Sequence, residues 1–396
     1  MMNIQRRHFQ VMNLGHALNH FFILIFPTAV LGLQDQWDIG YAELLKLGMF
    51  GVLAYGLGAL PSGWLGDRWS KKAMMHIFFY GMGGAGIFTA FAQTPTQLAL
   101  GVTAIGLFAS IYHPVGLAII YSTANKTGRA IAINGLAGNI GLACAAVVTS
   151  YLSQMFGWQV AFLIPSIFCL LVGVAYSFTV KAIEYPQQSK HHSRTQIEDI
   201  KASLIRLFVT IAVIATFGGL VFQSITTVLP KILQSTFDTS LSAIGLLATG
   251  IFLVAAVSQL IIGELLDRLS ARSLLLVSVA AQTVFLLLSS VASGWGLVLC
   301  LTGLVFSMYA QIPINDWLIG KYAANQWRSR MYALKYMLSF STGPAAYGLI
   351  ATIYGTTGAF THLYWLLATL MGGAVLAAWG MPAKSTAGRI QIIAKT

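Results

Sequence analysis

Charged residues are scarce in this chain: aspartate, glutamate, lysine and arginine together make up only 9% of its 396 residues. Soluble domains carry roughly 25% of such residues, so a folded surface of this composition cannot mostly face water. Hydrophobic residues make up 57% of the chain, and the mean hydropathy is +0.75. Because a membrane-spanning helix needs ~20 mostly apolar residues, this composition predicts an all-α polytopic membrane protein.

Cysteine is also rare, with Cys144, Cys169 and Cys300 each lying in an apolar run. None of them has the spacing of a zinc site, so we expect small buried hydrophobic side chains. The sequence contains no G-x-x-x-x-G-K-(S/T) segment and no G-x-S-x-G segment. The segment from His16 to His20 lacks the glutamate of a zinc-protease motif. We therefore predict that the protein is not an enzyme and uses no cofactor.

Apolar runs of spanning length recur along the whole chain and predict twelve helices. The first run is interpreted as a retained helix, since it holds several polar residues and no clear signal-peptide cleavage site. The predicted helices lie at about 11–33, 44–66, 73–93, 97–122, 130–154, 158–180, 205–229, 242–266, 273–293, 295–319, 332–354 and 360–381. This spacing predicts an N-terminal bundle over 1–180, a cytoplasmic linker over 181–203 and a C-terminal bundle over 204–396.

Basic residues fall almost entirely in alternate loops, although the net charge is +12. The positive-inside rule explains this asymmetry without a nucleic-acid partner. It predicts a multi-pass protein of the cytoplasmic (inner) membrane with both termini in the cytoplasm. Lys231 is the exception, because it lies in a predicted outer loop region that otherwise carries acidic residues such as Asp35 and Asp238.

An internal repeat relates the two halves of the chain. The segment from Gly63 to Lys72 recurs at Gly263 to Arg272 with an offset of 200 residues. Pro114 and Pro313 have an offset of 199 residues. A duplication of six helices accounts for both offsets and predicts two pseudo-symmetric six-helix bundles.

The repeated segment resembles the loop signature G-x-L-x-D-R-x-x-(K/R)-(K/R) of the major facilitator superfamily. That resemblance implies an alternating-access transporter, usually monomeric, in which the conserved aspartate helps to close the cytoplasmic side. The residues that the resemblance assigns to this conformational latch are Gly63, Asp67, Arg68, Lys71, Asp267 and Arg268.

A narrower resemblance connects the chain with the fosmidomycin-resistance branch of drug exporters. It rests on Tyr112-His113-Pro114, on Gly135-x-x-Gly138-Asn139-x-Gly141, and on the first-helix segment from His16 to His20 with Pro27. The sequence departs from that branch at Val115, where an acidic residue is usual, and at His20, where an aspartate is usual. It also lacks the branch's Gly-Pro in the fifth helix. The resemblance implies efflux of a small organic molecule or drug by an antiporter.

Three histidines are the main candidates for chemistry. His16 and His20 are four residues apart and so share one face of the first helix, which Asn13 extends. His113 lies near the middle of the fourth helix. Because imidazole titrates near neutral pH, we expect His16, His20 and His113 to bind the coupling proton and the substrate. Alternatively, they are neutral interhelical histidines.

Polar residues in other helices are candidates for lining the substrate cavity. They are Asn19, Tyr112, Gln223, Thr227, Tyr309 and Gln311. They could orient a solute through neutral hydrogen bonds, or simply join helices. Asp316 lies nearer the cytoplasmic end, so a salt bridge or a helix-end role is expected rather than a proton site at the midplane. The side chain of Lys335 is expected to snorkel outward or, alternatively, to attract an anionic substrate.

The leading interpretation is a secondary active, proton-coupled transporter of a small organic solute, with the lipid bilayer, the solute and protons as its partners. A second interpretation keeps the fold but changes the cargo. The three histidines would then bind a transition metal, or a metal chelate such as a siderophore, that the protein transports. A third, from another class, is a non-transporting intramembrane enzyme or sensor.

Overall fold

A computed structural model describes residues 2–123, 127–180, 198–322 and 325–381, and they are almost entirely helical. The predicted linker therefore lies largely outside the described residues. The helices of the first half are α1 (Met2–Trp37), α2 (Tyr41–Lys46), α3 (Met49–Leu65), α4 (Lys71–Ala90), α5 (Pro95–Ala109), α6 (Leu117–Thr123), α7 (Thr127–Phe156) and α8 (Trp158–Val180). Two π-helical turns, Gly66–Ser70 and Tyr112–Gly116, interrupt this series.

The second half of the chain continues with seven more helices in its described part. They are α9 (Glu198–Thr236), α10 (Leu241–Arg268), α11 (Ala271–Ser289), α12 (Gly294–Tyr322), α13 (Asn325–Phe340), α14 (Gly343–Thr357) and α15 (Thr361–Trp379).

Ten helical stretches among the described residues are long and apolar enough to cross a membrane. One of them runs for 50 residues, from Tyr41 to Ala90, and contains the second predicted span and most of the third. At 1.5 Å per residue it is far longer than the ~30 Å hydrocarbon core. Its helical path is broken at Ser70, whose backbone is extended (φ −163°, ψ 118°) and whose hydroxyl accepts a hydrogen bond from the amide of Ala73 to cap α4.

The predicted eleventh span is divided between α13 and α14, with a turn at Ser341 and Thr342. Pro344 is the second residue of α14. A proline has no amide hydrogen and disfavours helical backbone in the residue before it, so it suits the start of a helix and not its interior. In the turn, the hydroxyl of Thr342 donates to the carbonyl of Ser339 at 2.7 Å.

The outward faces of the helices are apolar. In α8 the buried residues recur every three or four positions and include Phe162, Cys169 and Tyr176. Between them lie exposed apolar side chains such as Leu171 and Phe178, the latter 74% exposed. A helix that is apolar on its exposed face as well as its buried face is suited to lipid. Of the three cysteines predicted to be buried, Cys169 is, whereas Cys144 and Cys300 are only half-buried.

The chain divides into two compact units. Unit 1 comprises 1–187, 224–253 and 343–358, and unit 2 comprises 188–223, 254–342 and 359–396. In unit 1, α1 packs against α7 and α8, α4 packs against α5 and α8, and α14 packs against α2 and α3. In unit 2, α11 packs against α12 and α15, and α12 contacts α13.

Candidate functional site

The first two histidines form a direct hydrogen bond on one face of α1. The Nε2 atoms of His16 and His20 lie 3.1 Å apart, and Nδ1 of His16 lies 2.7 Å from the backbone oxygen of Asn134 in α7. A carbonyl oxygen can only accept, so Nδ1 of His16 carries a hydrogen. In the neutral pair, Nε2 of His16 is therefore the acceptor and Nε2–H of His20 is the donor. One added proton, bound at Nδ1 of His20, would keep this N–H···N bond and convert the pair into an imidazolium and an imidazole.

The third histidine comes from the π-helical turn Tyr112–Gly116 between α5 and α6. The imidazole of His113 meets those of His16 and His20 nearly edge-on, with ring centroids 5.2 and 5.3 Å away. One ligand-type nitrogen from each of the three rings lies within 4.8 Å of the others. Pro114 lacks an amide hydrogen, which favours a local departure from α-helical bonding, and such π-turns occur frequently at functional sites. We name these three residues the histidine cluster.

Tyr112 and Asn134 support the histidine cluster. The ring of Tyr112 stacks on that of His16 at 4.8 Å, with an interplanar angle of 13°. Its hydroxyl donates to the backbone oxygen of Met12 at 2.6 Å and accepts from Nδ2 of Asn134 at 2.9 Å. The same Nδ2 donates to Oδ1 of Asn13 at 2.9 Å. The polar network therefore fixes the position of α1 against α7 and orients His16.

Asn134 was not among the residues predicted from the sequence. The sequence feature that could have identified it is an amide side chain within an apolar run. Burial of such a side chain in a membrane costs free energy unless it is hydrogen-bonded. Nearby, Asn19 is fully buried, and its Nδ2 donates to the hydroxyl of Tyr55 at 3.2 Å. The ring of Tyr55 lies 6.3 Å from that of His113. The groups described around the histidine cluster are thus amides, phenols and backbone carbonyls, which can orient a polar solute and accept or relay a proton.

Two glycines let α7 approach the cluster closely. A Cβ added at Gly138 would lie 2.8 Å from His20 and 2.9 Å from His16. A Cβ added at Gly141 would overlap the backbone carbonyl of Ala17. Small residues at these two positions thus allow the close approach of α7 to α1, whereas an added Cβ at Gly135 would meet nothing within 4 Å.

The other predicted cavity residues are distributed over both units. Gln311 accepts from Nε2 of Gln282 at 2.8 Å and donates to the backbone oxygen of Ile214 at 3.3 Å, all within unit 2. Tyr309 is fully buried there, with its ring 5.8 Å from that of Phe222. Gln223 is the last residue of one segment of unit 2, whereas Thr227 lies in unit 1 and its side chain hydrogen-bonds Tyr347. Their sharing of one substrate cavity stays a prediction.

The predicted latch residues lie at two exposed helix ends. Asp67 pairs with Lys71 at 2.8 Å, one turn further on, while 74% of its side chain is exposed. Arg68 lies over the ring of Trp64, 5.3 Å from its centroid, and Gly63 packs against Pro114. In the second copy, Arg268 pairs with Glu264 at 2.6 Å, and Asp267 is exposed. These contacts are local, and the latch itself stays a prediction.

The sequence profile of the Major Facilitator Superfamily matches residues 12–237 and 211–392, which together cover nearly the whole chain. The chain belongs to the Major Facilitator Superfamily. It is therefore an integral, multi-pass membrane protein, in agreement with the apolar helices described above.

Solved structures show the same fold for this superfamily member. A D-xylose–proton symporter matches with a TM-score of 0.74 at 13% identity, over 95% of this chain and 97% of that one. A bacterial homologue of the human lysosomal transporter Spinster, in an inward-facing and unoccupied conformation, matches with a TM-score of 0.69 at 13% identity, over 99% of this chain and 97% of that one.

Curated relatives of this superfamily member match at low identity. The niacin transporter NiaP of Acinetobacter baylyi is 27% identical over 44% of this chain and 40% of its own length. The 4-hydroxybenzoate transporter PcaK of Pseudomonas aeruginosa is 26% identical over 40% of this chain and 38% of its own length. The multidrug resistance protein MdtG of Escherichia fergusonii is 24% identical over 86% of both chains. The match to the first two thus spans about two fifths of their length.

Proposed function

We propose that this protein is a secondary active transporter that moves a small organic solute across the inner membrane by alternating access. The single observation that carries the proposal is the buried histidine cluster, which α1, the π-turn and α7 hold together inside a superfamily member. Ionisable residues within membrane helices are costly and mark substrate or proton pathways by default. The neutral amides and phenols around the cluster suit a polar solute of modest size.

Proton coupling is proposed on the geometry of His16 and His20. Two imidazole nitrogens at 3.1 Å share one hydrogen when both rings are neutral. A proton from solution converts this bond into an imidazolium–imidazole pair, which attracts an anionic solute and repels a cationic one. A cationic solute would compete with the proton for this pocket, as in the antiporter that the resemblance implies, whereas an anionic solute would bind together with the proton.

The solute is proposed to be a small organic acid or a drug. Two relatives are named for niacin and 4-hydroxybenzoate, and two others for L-galactonate and multidrug resistance. Export is proposed on the resemblance to the fosmidomycin-resistance branch. The match to MdtG over 86% of both chains also supports that direction.

The proposed architecture has twelve membrane spans, both termini in the cytoplasm and bundles over 1–180 and 204–396 that are joined by a linker over 181–203. The distribution of basic residues and the internal repeat support this topology. We propose that the protein works as a monomer, and that Asp67, Arg68 and Lys71 close its cytoplasmic side together with Asp267 and Arg268.

Solute transport in proteoliposomes tests the proposal. Vesicles that contain the purified protein are loaded with nicotinate, 4-hydroxybenzoate, galactonate or a cationic dye. A pH gradient of either direction is then imposed across their membrane. We expect one solute to move against its own gradient, with loss of movement on addition of a protonophore and in the His16→Ala/His20→Ala double variant. Movement that ignores the protonophore would contradict proton coupling, and the gradient direction that drives movement decides between export and import.

A second candidate cargo is a transition metal, which one observation favours. The three histidines offer one nitrogen each within 4.8 Å, and Nδ1 of His16 is bonded to a carbonyl, as in many metal-binding histidines. Thermal stabilisation by Fe²⁺, Zn²⁺ or Ni²⁺ that is lost in His16→Ala would support a metal. Stabilisation by an organic solute alone would exclude it.

A further inference from the structure

A buried ion pair joins α12 and α13 in unit 2, whereas the histidine cluster belongs to unit 1. Nζ of Lys335 lies 2.7 Å from Oδ1 of Asp316, and the lysine side chain is 7% exposed whereas that of the aspartate is 31% exposed. The two other ion pairs in the described part of the chain join residues only four positions apart in the sequence. The expectation that the Lys335 side chain snorkels outward is therefore wrong, and the expected salt bridge of Asp316 is confirmed.

The surroundings of this pair hold the lysine in place. Nζ of Lys335 lies 4.2 Å from the centroid of the Tyr336 ring, and the hydroxyl of Tyr332 donates to the backbone oxygen of Asp316 at 2.8 Å. One turn beyond Lys335, Ser339 donates to the backbone oxygen of Ala215 in α9. The titratable groups described against the pair are thus the two tyrosines of α13, and the contact of this part of α13 with α9 is to a neutral backbone carbonyl.

A buried ion pair is a poor source of stability, because desolvation of both charges offsets much of their attraction. Within a membrane helix such a pair is a functional candidate by default. The cation here is the more buried partner, and the anion is the more accessible one. An anion that arrives from solution can therefore replace Asp316 at the ammonium with little movement of Lys335.

We propose that Lys335 is the residue that binds the carboxylate of an organic acid, and that Asp316 is its resident counter-ion. The inference rests on the proposed transport of a small organic solute and adds the charge of that solute. When a proton binds the Asp316 carboxylate, the ion pair opens and the solute carboxylate pairs with Nζ of Lys335. One proton and one negative charge enter together, so the net charge of the site is unchanged.

The test is ligand binding to purified full-length protein, with 4-hydroxybenzoate as the probe and its neutral analogue 4-hydroxybenzamide as the matched ligand. The Asp316→Asn variant removes the resident counter-ion, and we expect it to bind 4-hydroxybenzoate about tenfold more tightly than the wild type near neutral pH. The Lys335→Gln variant and the Asp316→Asn/Lys335→Gln double variant should lose this binding. The double variant removes both charges, so it avoids an unpaired buried charge that could prevent folding of either single variant.

Lys321→Gln, which removes a positive charge from the end of α12, is the control and should bind 4-hydroxybenzoate as the wild type does. The proposal is overturned if Asp316→Asn gains no Lys335-dependent affinity for 4-hydroxybenzoate, or if the double variant binds it as tightly as the wild type. Transport of an organic solute that survives in the double variant would leave the proposed function intact while overturning the anion site. Lys335-dependent binding in a protein that transports no solute would support the anion site while overturning the proposed function.

Discussion

Nζ of Lys231 in α9 lies 5.4 Å from the ring centroid of Tyr41, at the start of α2, and 5.8 Å from that of Tyr354 in α14. The two rings meet edge-on at 5.3 Å, and Nζ also donates to Oε1 of Gln234 at 2.9 Å. All of these residues belong to unit 1. Lys231 is the one lysine that the charge pattern of the loops leaves unexplained. The structure places it at the centre of a cation–π contact that joins segments of both sequence halves.

Replacement of Lys231 by methionine should lower the stability of unit 1. The change removes the cation but keeps an unbranched chain of similar length, and the loss should be about 1 kcal/mol, since cation–π contacts contribute about 0.5–2 kcal/mol. Thermal unfolding in detergent measures it. Lys231→Arg keeps the cation over the rings and should unfold close to the wild type. Equal melting of the methionine variant and the wild type would show that the contact contributes nothing.

Replacement of His20 by alanine should flatten the dependence of solute transport on pH. The variant removes the donor of the bond to Nε2 of His16, so no imidazolium–imidazole pair can form. Transport that changes with pH in the wild type should change little in the variant, because the titratable partner of His16 is removed. His362→Gln, at an exposed position of α15, is the control and should keep the wild-type profile. An unaltered profile in His20→Ala would refute the coupling role.

Replacement of Gly141 by alanine should destabilise the contact between α1 and α7. The new methyl group would overlap the backbone carbonyl of Ala17, and overpacking of this kind costs about 1–3 kcal/mol. Gly135→Ala on the same helix adds the same methyl group where nothing lies within 4 Å. It should be neutral or slightly stabilising, because alanine is the better helix former. Comparison of the two melting temperatures checks the prediction, and equal losses would refute the steric explanation.

Replacement of Asp67 by asparagine should slow transport several-fold without loss of stability. Its ion pair with Lys71 is exposed, and such pairs contribute about 0.2–1 kcal/mol. A large effect on transport would therefore arise from the alternation between conformations and not from folding. Transport rate and melting temperature are measured on the same preparation. A normal rate would remove Asp67 from the latch.

Much of the histidine cluster could be predicted from the sequence, because helical periodicity alone puts His16 and His20 on one face. The repeat and the loop signature indicated the superfamily, which the profile match confirms. Asn134 was missed because the partner of a lone amide in an apolar run depends on which helix packs beside it. The same applies to Lys335, since its burial follows from the approach of Asp316 on a neighbouring helix, which no local pattern encodes.

The π-turn at Tyr112–Gly116 bears on how the two halves are to be aligned. A π-turn holds more residues than an α-turn, whereas α12 is α-helical throughout Gly294–Tyr322. The offset of Pro114 and Pro313 is one residue shorter than that of Gly63 and Gly263. The segment from Gly63 to Pro114 is thus one residue longer than the segment from Gly263 to Pro313. The π-turn accommodates an extra residue within the helix, and His113 lies in that wider turn, which has no counterpart in α12.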